Sequence, residues 1–243
     1  MKPIGECQKA IEYLESHSAE RQHKKTGPCI TISRQSGAGS GIVNQRLKEL
    51  LEARQDDSFG QWAIFDKNLI EKVLEDHNLP DRIAKFMTRE NYSAISTMIN
   101  ELLGLHPSMR SLFHKTTETI LRLAHIGNVI IVGRGGAMVT SMLPNAFHVR
   151  LVAPLENRIQ RIQDYYQLNR KQAAEFIKNE DEGRKELFTK NFHRDIEDPL
   201  LYHITLNTGT LSHDETAQII AGAVCMKFPH MFPKHGENVV VNE

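Results

Sequence analysis

The sequence predicts an α/β protein in which helices cover a parallel β-sheet. The first observation is a set of five short apolar runs, most of them rich in β-branched or aromatic residues, as buried strands are. The second is that long helical segments separate these runs, which is the alternation that a parallel sheet requires. The runs are CITIS at residues 29–33, WAIFD at 62–66, NVIIVG at 128–133, FHVRLV at 147–152 and YHITLN at 202–207. The fourth run alternates more than the others, so we expect it nearer an edge of the sheet.

The helices follow from apolar spacing and from residues that favour helix ends. Proline favours a first helical turn, so Pro154 is expected to open a helix that runs to about residue 167. Ser212 is expected to cap a last helix over residues 212–227. Residues 81–127 contain no strand and predict two or three helices. The apolar residues after the first run fall on one helical face: Ile42, Val43, Leu47, Leu50 and Leu51.

Composition favours a globular protein and gives no support to nucleic-acid or membrane binding. Of the 243 residues, 40% are hydrophobic and 25% are charged, and 30 basic residues balance 30 acidic ones. No apolar run is long enough to span a bilayer, and the first residues carry acids where a signal peptide needs an apolar segment. Neither the three separated cysteines nor the twelve histidines have metal-ligand spacing, so we expect no structural metal and a cytoplasmic location.

A glycine-rich stretch, SGAGSG, lies between the first strand and the following helix. Glycines there let backbone N–H groups turn inward, and a helix N-terminus adds partial positive charge, so the stretch suits a phosphate. The usual motif G-x-x-x-x-G-K-[ST] fails at its last two positions, which are Ser40 and Gly41. A glycine turn without any ligand is the alternative. The predicted phosphate-binding residues are Ser36, Gly37, Ala38, Gly39, Ser40 and Gly41.

Six segments in the same order resemble the cytidylate-kinase-like family of P-loop nucleoside monophosphate kinases. They are ITISRQSGAGSG, FDKNLI, VIIVGRGG, ENRIQRI, NEDEGRKELFTKNF and DPLLYHITLNTGTLS, between residues 30 and 212. The resemblance implies a three-layer P-loop kinase-like fold with a five-stranded parallel sheet in the order 2-3-1-4-5. It also implies phosphoryl transfer from ATP, with Mg²⁺ bound alongside the nucleotide, to a nucleoside monophosphate such as CMP. The sequence departs from relatives at Ser40 and Gly41, and at His203, where an aspartate is common.

The resemblance and the residue patterns at the two ends together give the expected domain organisation. Residues 26–228 form the kinase-like domain, with a helical insertion near residues 80–127 over the acceptor site and a lid near residues 155–195. Residues 1–25 form a helical extension with apolar residues at near-heptad spacing, which we expect to pack on the domain or to mediate a homodimer. Residues 229–243 form a loose C-terminal tail.

Three residues at predicted strand ends are candidates for binding the acceptor. Arg134, between two glycines after the third strand, can present a bidentate fork to a phosphate and is also a candidate catalytic residue. Arg34 follows the first strand and Asp66 ends the second, at the edge where open α/β sheets bind ligands. The alternatives are structural ion pairs for the arginines and a helix cap for Asp66.

The lid contributes the remaining catalytic candidates, Arg158, Arg161 and Arg184. Arg158 and Arg161 are three residues apart and therefore share a helical face. In the family, lid arginines stabilise the charge of the transferring phosphoryl group. The alternative for each of them is a solvated charged face. Three functions stay open: a nucleoside monophosphate kinase, a kinase with a non-nucleotide acceptor, and a nucleotide- or anion-binding module that acts through partners without catalysis.

Overall fold

Five parallel strands form the centre of the molecule. The computed structural model describes residues 27–56, 59–66 and 109–232. Within these ranges the strands are β1 (Cys29–Arg34), β2 (Ala63–Phe65), β3 (Val129–Val132), β4 (Ala146–Val152) and β5 (Ile204–Asn207). Their order is β2-β3-β1-β4-β5, which confirms the predicted 2-3-1-4-5 sheet. In the register, Ile32 of β1 lies opposite Val132 of β3 and Val149 of β4.

Helices cover both faces of the sheet. The helices are α1 (Ser40–Arg54), α2 (Met109–Ile126), α3 (Gly136–Val139), α4 (Leu155–Tyr166), α5 (Arg170–Phe192) and α6 (His213–Lys227), with short 3-10 turns at Pro199–Leu201 and Pro229–Met231. Helices α1 and α6 pack on one face, where Leu47 and Ile220 are fully buried in a core with Ile30. Helix α2 packs on the other face, where Ile120 is buried with Ile131.

The predicted helix ends agree with the structure. Pro154 is the residue before α4, and Gln167 follows the end of that helix in a left-handed conformation. Ser212 caps α6: its side chain accepts a hydrogen bond from the backbone N–H of Glu215, whose side chain bonds back to Ser212. Such a reciprocal capping box satisfies two N–H groups that a helix start leaves open. Helix α5 begins in the same way at Asn169.

The alternation of the fourth run does not reflect an edge strand, so that expectation is wrong. β4 lies between β1 and β5, and six of its seven residues are buried, whereas the edge strand β5 is largely exposed. Its alternation arises from His148 and Arg150, which are buried polar residues rather than solvent-facing ones. His148 hydrogen-bonds to Thr31, and Arg150 donates to Ser33, so neighbouring β1 gives both side chains a polar partner.

The start of the predicted tail belongs to the core. Met231 and Phe232 are almost completely buried against α1 and α6, and the backbone N–H of Asp56 donates to the Met231 carbonyl. Apolar burial thus makes residues 229–232 part of the domain, and residue 229 is too early a boundary for a loose tail. The rest of the tail, the extension at residues 1–25 and the insertion before residue 109 lie outside the described residues. None of the described helices is long and apolar enough to cross a membrane.

Candidate functional site

The glycine loop joins the end of β1 to the start of α1, as the sequence predicts. Gly37 and Gly39 both have φ near 78°, and Gly39 is the residue that precedes α1. The left-handed conformation is accessible to glycine at little steric cost. Within the described residues, the backbone N–H groups of Gly37, Gly39 and Ser40 have no hydrogen-bond partner. The loop therefore offers N–H donors and a helix N-terminus at the carboxyl end of a central strand, which suits an anion.

Packing also requires glycine at these two positions, whether or not a ligand is bound. A Cβ atom at Gly37 would lie 2.7 Å from the backbone carbonyl oxygen of Arg158 in α4. A Cβ atom at Gly39 would clash with the imidazole ring of His213 at the start of α6. The glycines thus let α4 and α6 approach the loop closely, as well as giving the backbone its turn.

Two of the predicted catalytic arginines, Arg158 and Arg161, donate hydrogen bonds to backbone carbonyls of the glycine loop. Arg158 is buried and donates to the carbonyl oxygens of Ala153 and Ser36. Arg161 donates to the carbonyl of Gly37 and to both oxygens of Thr208. Burial lowers the pKa of Arg161. The predicted shared face of α4 is present, but it is directed at backbone carbonyls of the loop rather than at solvent.

An acidic lid residue, Asp181 of α5, contacts the start of the loop. Its carboxylate accepts a hydrogen bond of 2.7 Å from the backbone N–H of Ser36. The same carboxylate accepts from Arg158 at 2.6 Å and from Arg184 at 2.9 Å. Charge-assisted bonds of this kind are stronger than neutral ones. One lid carboxylate therefore joins the loop, α4 and α5, and it already supplies an anionic oxygen to a loop N–H.

The acceptor-side candidates lie together at the carboxyl edge of the sheet. Arg34, the last residue of β1, lies with a guanidinium nitrogen 3.7 Å from the half-exposed carboxylate of Asp66. A Cβ atom at Gly133 would contact the same guanidinium, so that glycine makes room for Arg34. Arg134 follows in a left-handed conformation with φ of 55°, which arginine adopts rarely. The helix that Asp66 is predicted to cap would begin at Lys67, which lies outside the described residues.

A cleft collects three of the predicted arginines. Arg34, Arg134 and Arg184 all line it, together with apolar residues of the lid helix α5, Leu187 and Phe188. Arg184 also donates to Glu180 at 3.0 Å and to Asp181. The six candidate side chains therefore divide into two groups. Arg158 and Arg161 contact the loop, whereas Arg34, Arg134 and Arg184 line the cleft and Asp66 pairs with Arg34 beside it.

Sequence reasoning missed a buried polar network beneath this cleft. Arg150 of β4 donates to Ser33 of β1 and pairs with Glu197 after the lid. The Tyr202 hydroxyl donates to the carbonyl of Ile196 and lies 3.2 Å from the Ser33 hydroxyl, and the Arg150 guanidinium lies 5.6 Å from the Tyr202 ring. The signal was present, because an arginine inside an apolar strand run needs buried partners. The network ties the end of the lid to β1.

His213 is a second residue that the sequence did not single out. Its Nε2 atom is buried and has no hydrogen-bond partner within the part of the chain that the structure describes. The pKa of His213 is lowered, first by burial and then by the charge of Arg161. The neutral imidazole therefore borders the loop at Gly39, beside the first turn of α1.

The loop residues fit a phosphate better than they fit a metal ion. Gly41, at the position where the usual motif places a magnesium-binding hydroxyl, has none, and the hydroxyl of Ser40 stands one position earlier. Mg²⁺ usually keeps several waters and takes only one or two protein ligands beside substrate phosphates. This loop is compatible with Mg²⁺ that a bound nucleotide would hold, and Ser40 would offer it a hydroxyl.

The fold and the loop define a P-loop kinase-like protein, and comparison with known proteins gives its family. The model of the cytidylate kinase-like family matches residues 29–210. The chain therefore belongs to the cytidylate kinase-like family. Membership relates it to kinases, and so to nucleotide binding and phosphoryl transfer in general.

Solved structures and a curated protein are also similar to the chain. An uncharacterized protein from Eubacterium ventriosum ATCC 27560 superimposes with a TM-score of 0.60 at 17% identity, covering 81% of this chain and 98% of that one, and so shares the fold. Shikimate kinase from Bacteroides thetaiotaomicron gives a TM-score of 0.47 at 12% identity, covering 83% and 98%. Uronate isomerase from Corynebacterium glutamicum is 29% identical over 119 residues, which are 47% of this chain and 22% of that protein. The chain thus spans about a fifth of the length of the curated relative it matches.

Proposed function

We propose that the chain transfers a phosphoryl group from ATP to a nucleoside monophosphate such as CMP, with Mg²⁺ bound with the nucleotide. The observation that carries the proposal is the placement of a cleft lined by three arginines near the glycine loop, at the carboxyl edge of the sheet. Phosphoryl transfer needs positioned cations and N–H donors more than covalent chemistry. The cytoplasmic location and the absence of nucleic-acid and membrane partners remain predictions from the sequence.

In this proposal the loop and the cleft bind different phosphates. The backbone N–H groups of Gly37, Gly39 and Ser40 hold the donor phosphates at the start of α1. Arg34 and Arg134 receive the phosphate of the acceptor, because both line the cleft on the side of β1 and β3. Asp66, paired with Arg34, orients that arginine and offers an acceptor oxygen to a sugar or base.

The missing lysine has to be replaced by a cation that can reach the transferred group. Arg158 and Arg161 are occupied with loop carbonyls, so their role is to keep the loop in shape. Arg184 and Arg134 line the cleft and are the residues that we assign to the charge of the transition state. Removing one preorganised contact of this kind typically lowers kcat by about 10²–10³-fold, or about 2.7–4 kcal/mol.

A catalytically impaired anion-binding module is the second candidate, and one observation favours it. Asp181 accepts from the backbone N–H of Ser36, from Arg158 and from Arg184 at once. A loop donor and Arg184, which would face phosphate, therefore already have an anionic partner. If this arrangement persists when nucleotide is present, the chain binds an anion without turnover and acts through partners.

Turnover with defined acceptors separates the two candidates. The protein is incubated with ATP, Mg²⁺ and a panel of monophosphates headed by CMP, together with non-nucleotide acceptors such as shikimate, and the ADP formed is measured. Steady turnover with one monophosphate supports the kinase. ATP binding by calorimetry without product from any acceptor would leave only the binding module.

Variants test the assignment of the arginines. Arg134→Ala and Arg184→Ala are expected to lower kcat by about 10²-fold or more while the circular dichroism spectrum stays unchanged. Arg170→Ala is the matched control, because Arg170 is exposed and pairs only with exposed Glu156 in the described structure. Ser40→Lys restores the usual lysine and is expected to leave activity unchanged or raise it. Equal activities for Arg184→Ala and Arg170→Ala would refute the assignment.

A further inference from the structure

A second cleft lies at the opposite edge of the sheet from the glycine loop. It is formed at the starts of β4 and β5, next to the segment after α3, and has a volume of about 570 Å³. Its apolar lining comes from Met138, Met142, Leu143, Leu200 and Leu201. We call it the amino-edge cleft.

The amino-edge cleft has the surface of a docking site. Met142 is 91% exposed and Leu200 is 90% exposed, although both are large apolar side chains. Exposed apolar patches on a folded domain commonly mark interaction sites. Arg194 and Lys227 also line the cleft, and none of its lining residues is acidic. The occupant that fits this lining is an amphipathic segment with acidic residues beside its apolar side.

We propose that residues 1–26 of the same chain dock in the amino-edge cleft. The described fold begins at Gly27, whose carbonyl oxygen accepts a hydrogen bond of 2.9 Å from the side-chain amide of Asn145. Asn145 lies between Pro144 and Ala146, and both of these neighbours line the cleft. The segment is therefore joined to the domain directly beside the surface that it would cover.

The sequence of the segment complements the cleft. Ile4, Cys7, Ile11 and Leu14 recur at spacings of three and four residues, a pattern that would place them on one side of a helix. The stretch from residue 4 to residue 20 carries four glutamates against one lysine, opposite the basic lining of the cleft. Apolar side chains would cover Met142 and Leu200, and the glutamates would face Arg194 and Lys227.

The length of the linking chain permits this placement. As a helix, residues 4–14 would extend about 15 Å at the usual rise per residue. The twelve residues between Leu14 and Gly27 can extend about 40 Å. The reach is therefore sufficient for docking within one molecule, and the inference does not depend on the proposed kinase activity.

The native Cys7 allows a test on the full-length chain. Leu200→Cys and, separately, Met142→Cys introduce a thiol in the cleft, and the proteins are oxidised mildly and examined by non-reducing electrophoresis and peptide mapping. Cys29 and Cys225 are buried, and burial raises the pKa of Cys29 to about 12, so neither competes. Tyr165→Cys is the matched control, because Tyr165 is 79% exposed on α4 of the lid.

Docking within the chain predicts an intramolecular disulfide from Cys7 to the introduced cysteine, formed at least tenfold faster for one of the cleft variants than for Tyr165→Cys. Adding Ile11→Asp is expected to slow that reaction at least tenfold. Equal rates in the cleft and on the lid would overturn the proposal, as would a rate that Ile11→Asp leaves unchanged. Disulfide-linked dimers in place of the intramolecular product would also overturn it and assign the cleft to a second copy.

Discussion

Protonation of His148 is expected to destabilise the protein below pH 6.5. His148 is 6% exposed, and its Nδ1 atom is hydrogen-bonded to Thr31 at 2.9 Å. Burial, with smaller contributions from His203 and Lys227, lowers the pKa of His148 from 6.5 to about 4. The unfolded chain therefore binds a proton that the folded protein excludes, and stability is lost as the pH falls from 6.5 towards 4.

The size of the effect follows from the two pKa values. A difference of this size corresponds to about 3 kcal/mol once the pH is below 4, and to about 2 kcal/mol at pH 5. This is a measurable share of a stability that is typically about 5–15 kcal/mol. His203 and His213 also have lowered pKa values, chiefly through burial, so the whole protein should lose more than His148 alone contributes.

Urea unfolding of the wild type and of His148→Gln between pH 7.5 and pH 5 isolates this contribution. Glutamine does not titrate and can still bond to Thr31, so the wild type should lose about 2 kcal/mol more unfolding free energy than the variant over this range. His230→Gln, which removes an exposed histidine, controls for loss of the side chain. A His148→Gln protein that loses as much stability as the wild type would refute a low pKa at this site.

Two further changes test the lid contact and the last helix. Asp181→Asn weakens three hydrogen bonds to one partly exposed carboxylate and is expected to lower the unfolding free energy, measured in urea, by about 1–3 kcal/mol. The control Glu182→Gln, at an exposed residue, should change the unfolding free energy little. Equal effects of the two substitutions would argue against the contact. Gly222→Ala should raise the melting temperature and add about 1 kcal/mol to the unfolding free energy, because alanine favours a helix and a Cβ atom at this position in α6 meets nothing within 4 Å. Gly135→Ala should instead destabilise the protein, because Gly135 has a φ of 71° and a Cβ atom there would clash with the ring of Phe192. A lower melting temperature for Gly222→Ala would contradict the open space at that position.

The strands were predictable because each one is a short apolar run, and a short apolar run between long helical segments is typical of a buried strand. All five runs overlap observed strands within two residues at each end. Their order was not in the runs themselves. It came from the resemblance to a family, since hydrophobicity says which segments are buried but not which of them are neighbours. The error at β4 has the same origin: alternation in a strand indicates two different faces, and here the polar side chains of His148 and Arg150 have partners on β1 instead of facing water.

The roles of the lid arginines show where sequence reasoning stops. A spacing of three residues correctly places Arg158 and Arg161 on one face of α4, but it cannot say what that face meets. The answer depends on Gly37, which lets the backbone of α4 come close enough for both guanidinium groups to reach loop carbonyls. Arg184 lies one helix later, on α5, and the turn between the helices directs it to the cleft with Arg34 and Arg134. Three arginines that look equivalent in the sequence therefore differ in the groups that they contact. The variants of Arg184 and Arg134 are the ones that test whether another cation replaces the missing lysine.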